Sequence, residues 1–287
     1  MKVKTVAVLM SVCLLSGCQS QNNFLENIDF WNGDGTSQDD GSNTENNNET
    51  AGASNEGQNP EEEKQNQATS QNEFVLPAEY FNEVEVVDGK PTIQNTDNYL
   101  MLVNKEYYLP EGYIPEDLVR ADVEYSFGDE VVEKALMRKE AATALEEMFQ
   151  AATEEGIELF AVSGYRSYSR QEEVFNNEVA LKGNEAAMEA VALPGQSEHQ
   201  TGLTMDISSR SVNLDLTQDY EHTDEGRWLA ENAHKYGFIL RYPKGKEEIT
   251  GYKFEPWHFR FVGKTYSKII YDKNLTLEEY FELVKEV

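Results

Sequence analysis

Ser197-Glu198-His199-Gln200-Thr201-Gly202-Leu203-Thr204-Met205-Asp206, answered later by Glu255-Pro256-Trp257-His258, is the part of this chain from which the rest can be read. His199 and Asp206 are spaced so that one continuous helix would set them two turns apart on the same side. Gly202 between them argues instead for a turn that brings both side chains back to one point, followed by a short strand, Met205-Asp206-Ile207. With His258 they offer two imidazoles and one carboxylate, and Glu255, three residues before the last histidine on an extended approach, adds a second carboxylate. Three ligands plus a base are the donor set of a catalytic zinc centre with an open fourth position. A structural zinc site would be closed by four ligands, usually including Cys. The other histidines, His222 and His234, lie in a charged stretch and a helix with no such company.

Working outward, hydrophobic periodicity and turn signals divide residues 74–287. Glu83 to Val87, Asp88-Gly89 and Pro91-Thr92-Ile93 read as a hairpin, and Leu100 to Leu118 as a Pro-punctuated arm laid on the surface. Glu130 to Glu155 reads as one long helix ended by Gly156, with Val132, Leu136, Leu145, Met148, Phe149 and Ala152 on its apolar side. Ile157 to Val162 follows as a buried strand. Ser169 and Glu172 suggest a capping box for a helix towards Lys182, with a further short helix from Asn184 to Leu193. Gly226 to Lys235 is helical, Phe238 to Tyr242 and Trp257 to Val262 are strands, and Thr276 with Glu279 caps a last helix. The expected fold is α+β: a single compact domain with a small antiparallel sheet flanked by helices.

The first residues are of another kind. Lys2 and Lys4 precede an apolar run from Val6 to Leu15, too short to span a bilayer, and Leu15-Ser16-Gly17-Cys18 closes it. Residues 1–17 thus read as a lipoprotein signal peptide, with Cys18 resembling the lipidated cysteine of a bacterial lipobox. Cys13 would leave with the signal, so the mature chain has no thiol for a disulfide. Residues 18–73 carry twelve Asp or Glu against Lys64 alone, with almost no apolar residues after Trp31. Such a segment cannot bury enough surface to offset chain entropy and reads as a disordered acidic tether. The expected location is the extracytoplasmic face of the cell membrane, through an N-terminal lipid anchor. The formal net charge of −29 excludes a nucleic-acid partner, which wants the opposite sign.

Ser-x-His-x-x-Gly-x-x-x-Asp followed by Glu-x-Trp-His resembles the VanY-type zinc D-Ala-D-Ala carboxypeptidases, which have LdcB-like L,D-carboxypeptidases and D,D-dipeptidases as relatives. The resemblance runs from Leu100 to about Gly263 through Leu102-Val103-Asn104-Lys105, Leu109-Pro110, Ser163-Gly164-Tyr165-Arg166-Ser167 and the stretch from Trp228 to Pro243. It departs at Thr204, where the family usually has Ala. The resemblance implies Zn2+ held by His199, Asp206 and His258, Glu255 as general base and then acid, and Arg166, Gln171 and Ser197 at the substrate. A guanidinium at Arg166 suits a terminal carboxylate or a developing oxyanion.

The resemblance implies a D-Ala-D-Ala carboxypeptidase that removes the C-terminal D-Ala from peptidoglycan stem peptides. An L,D-carboxypeptidase acting on tetrapeptide stems fits the same residues, and so does a non-catalytic muropeptide-binding or sensing module, although a pure binder has no use for Glu255. A serine D,D-peptidase is disfavoured because Ser-x-x-Lys does not occur, and a zincin because His-Glu-x-x-His does not.

Overall fold

The computed structural model describes residues 74–287; the signal segment, Cys18 and the tether expected from the sequence lie outside the described residues. The strands are β1 (Val75–Leu76), β2 (Val84–Val87), β3 (Lys90–Ile93), β4 (Leu118–Arg120), β5 (Leu136–Arg138), β6 (Phe160–Ser163), β7 (Thr204–Ser208), β8 (Phe238–Leu240), β9 (His258–Phe261) and β10 (Lys285–Glu286). The helices are α1 (Lys139–Glu154), α2 (Tyr168–Lys182), α3 (Asn184–Ala190), α4 (Asp224–Asn232), α5 (Glu247–Thr250), α6 (Lys264–Asp272) and α7 (Leu277–Leu283). The expected α+β architecture holds. A four-stranded antiparallel sheet, in the order β6-β7-β9-β8, carries the domain, and two-stranded pairs β1-β10, β2-β3 and β4-β5 surround it.

The central register explains how one sheet holds both a core and a site. Successive side chains of a strand face opposite sides, and cross-strand partners share a side. Met205 pairs with Phe259 and Phe238 with Phe261, and these side chains join the main apolar core. Thr204 pairs with Arg260 and Asp206 with His258, so the opposite face is polar. The apolar face packs with α1, whose Ala141, Leu145, Met148 and Ala152 are buried in the same core. Full burial of a Leu or Met of this kind stabilises by about 1.5–3 kcal/mol. A second cluster of Leu76, Leu100, Ile239, Val262, Ile270, Leu277 and Tyr280 ties β8, α6, α7 and the chain entry together.

Four local expectations need correction. The helix expected from Glu130 begins only at Lys139; before it come a 3₁₀ turn, Glu133–Ala135, and strand β5. Leu136-Met137-Arg138 pairs with Leu118-Val119-Arg120, and this ladder takes residues that the apolar spacing alone assigned to a helix. The cap of α2 is Ser167, whose hydroxyl accepts from the Arg170 amide, not Ser169. The Leu100–Leu118 arm is not helical, but it is not superficial either, because Leu100, Met101, Val103 and Leu109 are buried. Glu255 reaches His258 through a tight turn rather than an extended approach: the His258 amide donates to the Glu255 carbonyl at 3.2 Å, and Pro256-Trp257 form the corner. The hairpin β2-β3 and the capping box of Thr276 and Glu279 stand as expected.

Candidate metal centre

The turn expected at Gly202 is a 3₁₀ turn, Glu198–Thr201, closed by Gly202 in the left-handed conformation at φ +67°. Any Cβ there would also meet Leu118 Cδ2 at 2.8 Å, so the position suits glycine twice over. The reversal aims His199 back at β7, and its Nε2 lies 3.4 Å from Asp206 Oδ2. Its Nδ1 is 2.8 Å from the Gly164 carbonyl. A carbonyl only accepts, so Nδ1 carries the proton and the Nε2 lone pair faces Asp206.

His258 comes to the same point from the neighbouring strand, because the β7-β9 register sets it directly opposite Asp206. Its Nδ1 is 3.2 Å from Asp206 Oδ1 and 3.4 Å from Glu255 Oε2. The two imidazoles meet edge to face with ring centres 5.1 Å apart, and Tyr242 packs on the outer side of His258. Ligand atoms of His199, Asp206 and His258 all lie within 4.8 Å of one another, and all three residues are buried. Asp206 Oδ1 has neither solvent nor a hydrogen bond. A buried carboxylate oxygen left in that state between two imidazoles is what a divalent cation would satisfy, and the N,N,O set suits zinc.

The electrostatics follow from the same crowding. Burial pushes the His199 imidazole down to about 3, so it is neutral and able to ligate at neutral pH. For His258 burial also acts downward, but the carboxylates of Asp206 and Glu198 outweigh it and raise the group to about 9. A cation held by this imidazole would displace its proton. Burial opposes ionisation of Asp206, yet His199 and His258 prevail and hold its carboxyl below the usual range. Burial pushes the Glu255 carboxyl up to about 7, where a group can both take and return a proton.

Arg166 follows β6 in the stretch Ser163-Gly164-Tyr165-Arg166-Ser167. Its guanidinium donates to Gln171 Oε1 at 3.0 Å and to Ser163 Oγ at 3.4 Å, and the carboxylates of Asp206 and Glu255 favour its charge. Gln171 is buried: its oxygen receives Arg166 and its amide donates to the Ala192 carbonyl at 2.7 Å, so it orients the arginine. Ser197 is buried at the start of the 3₁₀ turn, where its carbonyl accepts from the Gln200 amide. Glu198, to which the sequence reading gave no role, is fully buried against Arg241 and Arg260. The available signal was Arg260 itself, a charge alternating with Phe259 and Phe261 in a buried strand.

The family profile described as VanY, D-alanyl-D-alanine carboxypeptidase, matches residues 134–264. YodJ of Bacillus subtilis (strain 168), which carries a carboxypeptidase name, is 59% identical over 219 residues, or 76% of this chain and 80% of that one. The solved structure of the LdcB LD-carboxypeptidase superposes with a TM-score of 0.73 at 59% identity, covering 75% of this chain and 100% of that one. A vancomycin resistance D,D-pentapeptidase VanY, solved in complex with Zn(II), superposes with a TM-score of 0.52 at 33% identity, covering 64% of this chain and 98% of that one. A sheet that sets an imidazole and a carboxylate on its polar face, with a second imidazole brought to them by the turn before β7, defines in this company a zinc metallocarboxypeptidase. The chain belongs to the VanY family of D-alanyl-D-alanine carboxypeptidases.

Proposed function

We propose that this enzyme removes the C-terminal D-Ala from peptidoglycan stem peptides, with zinc held by His199, Asp206 and His258. The convergence of these three buried side chains, with the carboxyl of Glu255 3.4 Å from His258 Nδ1, is the observation that carries the reading. Zinc held there would supply the Lewis acid that polarises the scissile carbonyl. Glu255 takes the proton of the attacking water on its carboxylate and delivers it to the leaving amine. Arg166, held by Gln171 and Ser163, faces the terminal carboxylate or the oxyanion that develops as water adds. Ser197 stands next to this path as a substrate contact.

Two readings of the scissile bond each have support. The 59% identity to the LdcB LD-carboxypeptidase, over the whole of that chain, favours an L,D bond in tetrapeptide stems. The family profile and the D,D-pentapeptidase favour a D,D bond in pentapeptide stems. D-Ala is the product of both, and the first is the better supported by degree of likeness. The run from Lys2 to Cys18 and the acidic composition of residues 18–73 support a lipid anchor at Cys18, a tether, and a catalytic domain over 74–287 on the extracytoplasmic face of the membrane.

The test is D-alanine release from synthetic pentapeptide and tetrapeptide stems, with and without a chelator and zinc add-back. Chelator-sensitive release from tetrapeptide alone supports the L,D reading, and release from pentapeptide the D,D reading. No release from either by the zinc-loaded protein refutes the proposal.

A further inference from the structure

Glu198 stands between the metal ligands and the rest of the domain, and its side chain is fully buried. Its Oε1 accepts from Arg241 Nε at 2.8 Å and from Arg260 Nη1 at 2.6 Å. Its Oε2 is buried without a hydrogen bond and faces His258 Nε2 at 3.6 Å, an atom equally buried and equally without a partner. Two orphaned polar atoms that face one another each carry the desolvation cost of an unmade hydrogen bond. They satisfy each other when Nε2 bears a proton and the pair closes by a few tenths of an ångström.

The charge balance excludes a simpler role. Arg241 also donates to both oxygens of Glu278, at 2.8 and 2.6 Å, so two arginines meet two carboxylates. The four charges balance as a group, so what Glu198 adds beyond its pull on the His258 proton is direction. Arg260 Nη2 donates to the carbonyls of Tyr99 and Met101, which anchors this network to the buried arm.

We infer that Glu198 is the positioning residue of His258: it accepts from Nε2–H, fixes the ring, and selects the tautomer whose Nδ1 lone pair faces Asp206 and Glu255. This rests on the zinc reading of the site and deepens it. The usual outer partner of a metal-ligating histidine is a carboxylate or carbonyl of this kind. Here it comes from the residue next to the other imidazole ligand, so one turn places one ligand and orients the second.

The experiment uses the zinc-loaded protein with ¹⁵N-labelled histidine, together with zinc affinity measured by competition with a chromogenic chelator. In Glu198→Gln the amide oxygen stays with the two arginines, and the NH₂ then points at His258 Nε2 and favours the opposite tautomer. Zinc affinity should fall by about 10- to 100-fold with the circular dichroism spectrum unchanged. Glu278→Gln disturbs the same arginine without touching His258 and should leave zinc affinity at the wild-type value. Wild-type affinity in Glu198→Gln, or an equal loss in Glu278→Gln, overturns the inference. If Glu198→Gln does not fold, the wild-type spectrum decides: a protonated Nε2 with metal on Nδ1 supports it, and the reverse refutes it. A wild-type protein that takes up no zinc removes the reading of the site itself, a separate result.

Discussion

The raised carboxyl of Glu255 has a cost in stability that can be measured. Its folded-state value is about 7 against an ordinary value of 4.5, because burial disfavours the charged form. Between these two values the unfolded chain has lost a proton that the folded chain retains, so stability falls as pH rises through this window and is level above it. The full shift corresponds to about 3 kcal/mol at 1.36 kcal/mol per unit. The side chain is 22% exposed, and solvent screening brings the expected figure to about 1–2 kcal/mol. Glu255→Gln keeps the shape and removes the ionisation. The zinc-free variant should therefore be more stable than the zinc-free wild type at pH 8, with the gap closing as pH falls to 4.5. Urea unfolding followed by circular dichroism across that range is the assay, and the zinc-loaded variant should release no D-alanine. A variant no more stable at pH 8, or a gap independent of pH, would refute the assigned strain on this carboxyl.

Other predictions concern the surroundings of the centre. The Thr204 hydroxyl is fully buried with no hydrogen bond, so Thr204→Val should raise stability by about 1 kcal/mol. A lower urea midpoint would mean that the hydroxyl has a partner. A Cβ on Gly164 would lie 2.5 Å from the Leu136 carbonyl oxygen and 2.9 Å from Met205 Cε. Gly164→Ala should cost about 1–3 kcal/mol, and it should weaken zinc binding because the Gly164 carbonyl holds His199. An alanine variant with wild-type stability and zinc affinity counts against that close packing. Zinc at a hundred times its Kd should stabilise the protein by about 2.7 kcal/mol in thermal unfolding. The same addition to Asp206→Ala should do nothing, and a shift there would place the metal elsewhere.

How far the sequence could be read depended on how local each feature is. His199, Gly202 and Asp206 lie within one turn and one strand, and His258 enters on the adjacent strand, so spacing and residue type were enough to bring them together. Glu255 was legible for the same reason, although the turn at Pro256-Trp257 was not. Glu198 sat in plain view, but its partners Arg241, Arg260 and Glu278 are distant in sequence and meet only when β8, β9 and α7 assemble. No periodicity encodes that. The helix start was misread because Leu136 and Val132 continue the apolar spacing of α1, while the pairing of β5 with β4 is a tertiary fact. The buried course of Leu100 to Leu109 was missed because Pro and Gly signal irregular backbone and say nothing of depth.

The pairing of β1 with β10 has a mechanical meaning. The two strands run parallel, with the Lys285 amide donating to the Phe74 carbonyl at 2.9 Å and the Val287 amide to the Leu76 carbonyl at 3.2 Å. Drawing residues 74 and 287 apart pulls one strand backwards and the other forwards, so the load falls as shear on both bonds at once instead of unzipping them in turn. Leu76 and Val284, buried in the second cluster, would have to slide with them. The domain is thus fastened at the place where its own chain enters, and a force transmitted from residues before Phe74 meets this clasp before it reaches the sheet that holds His258.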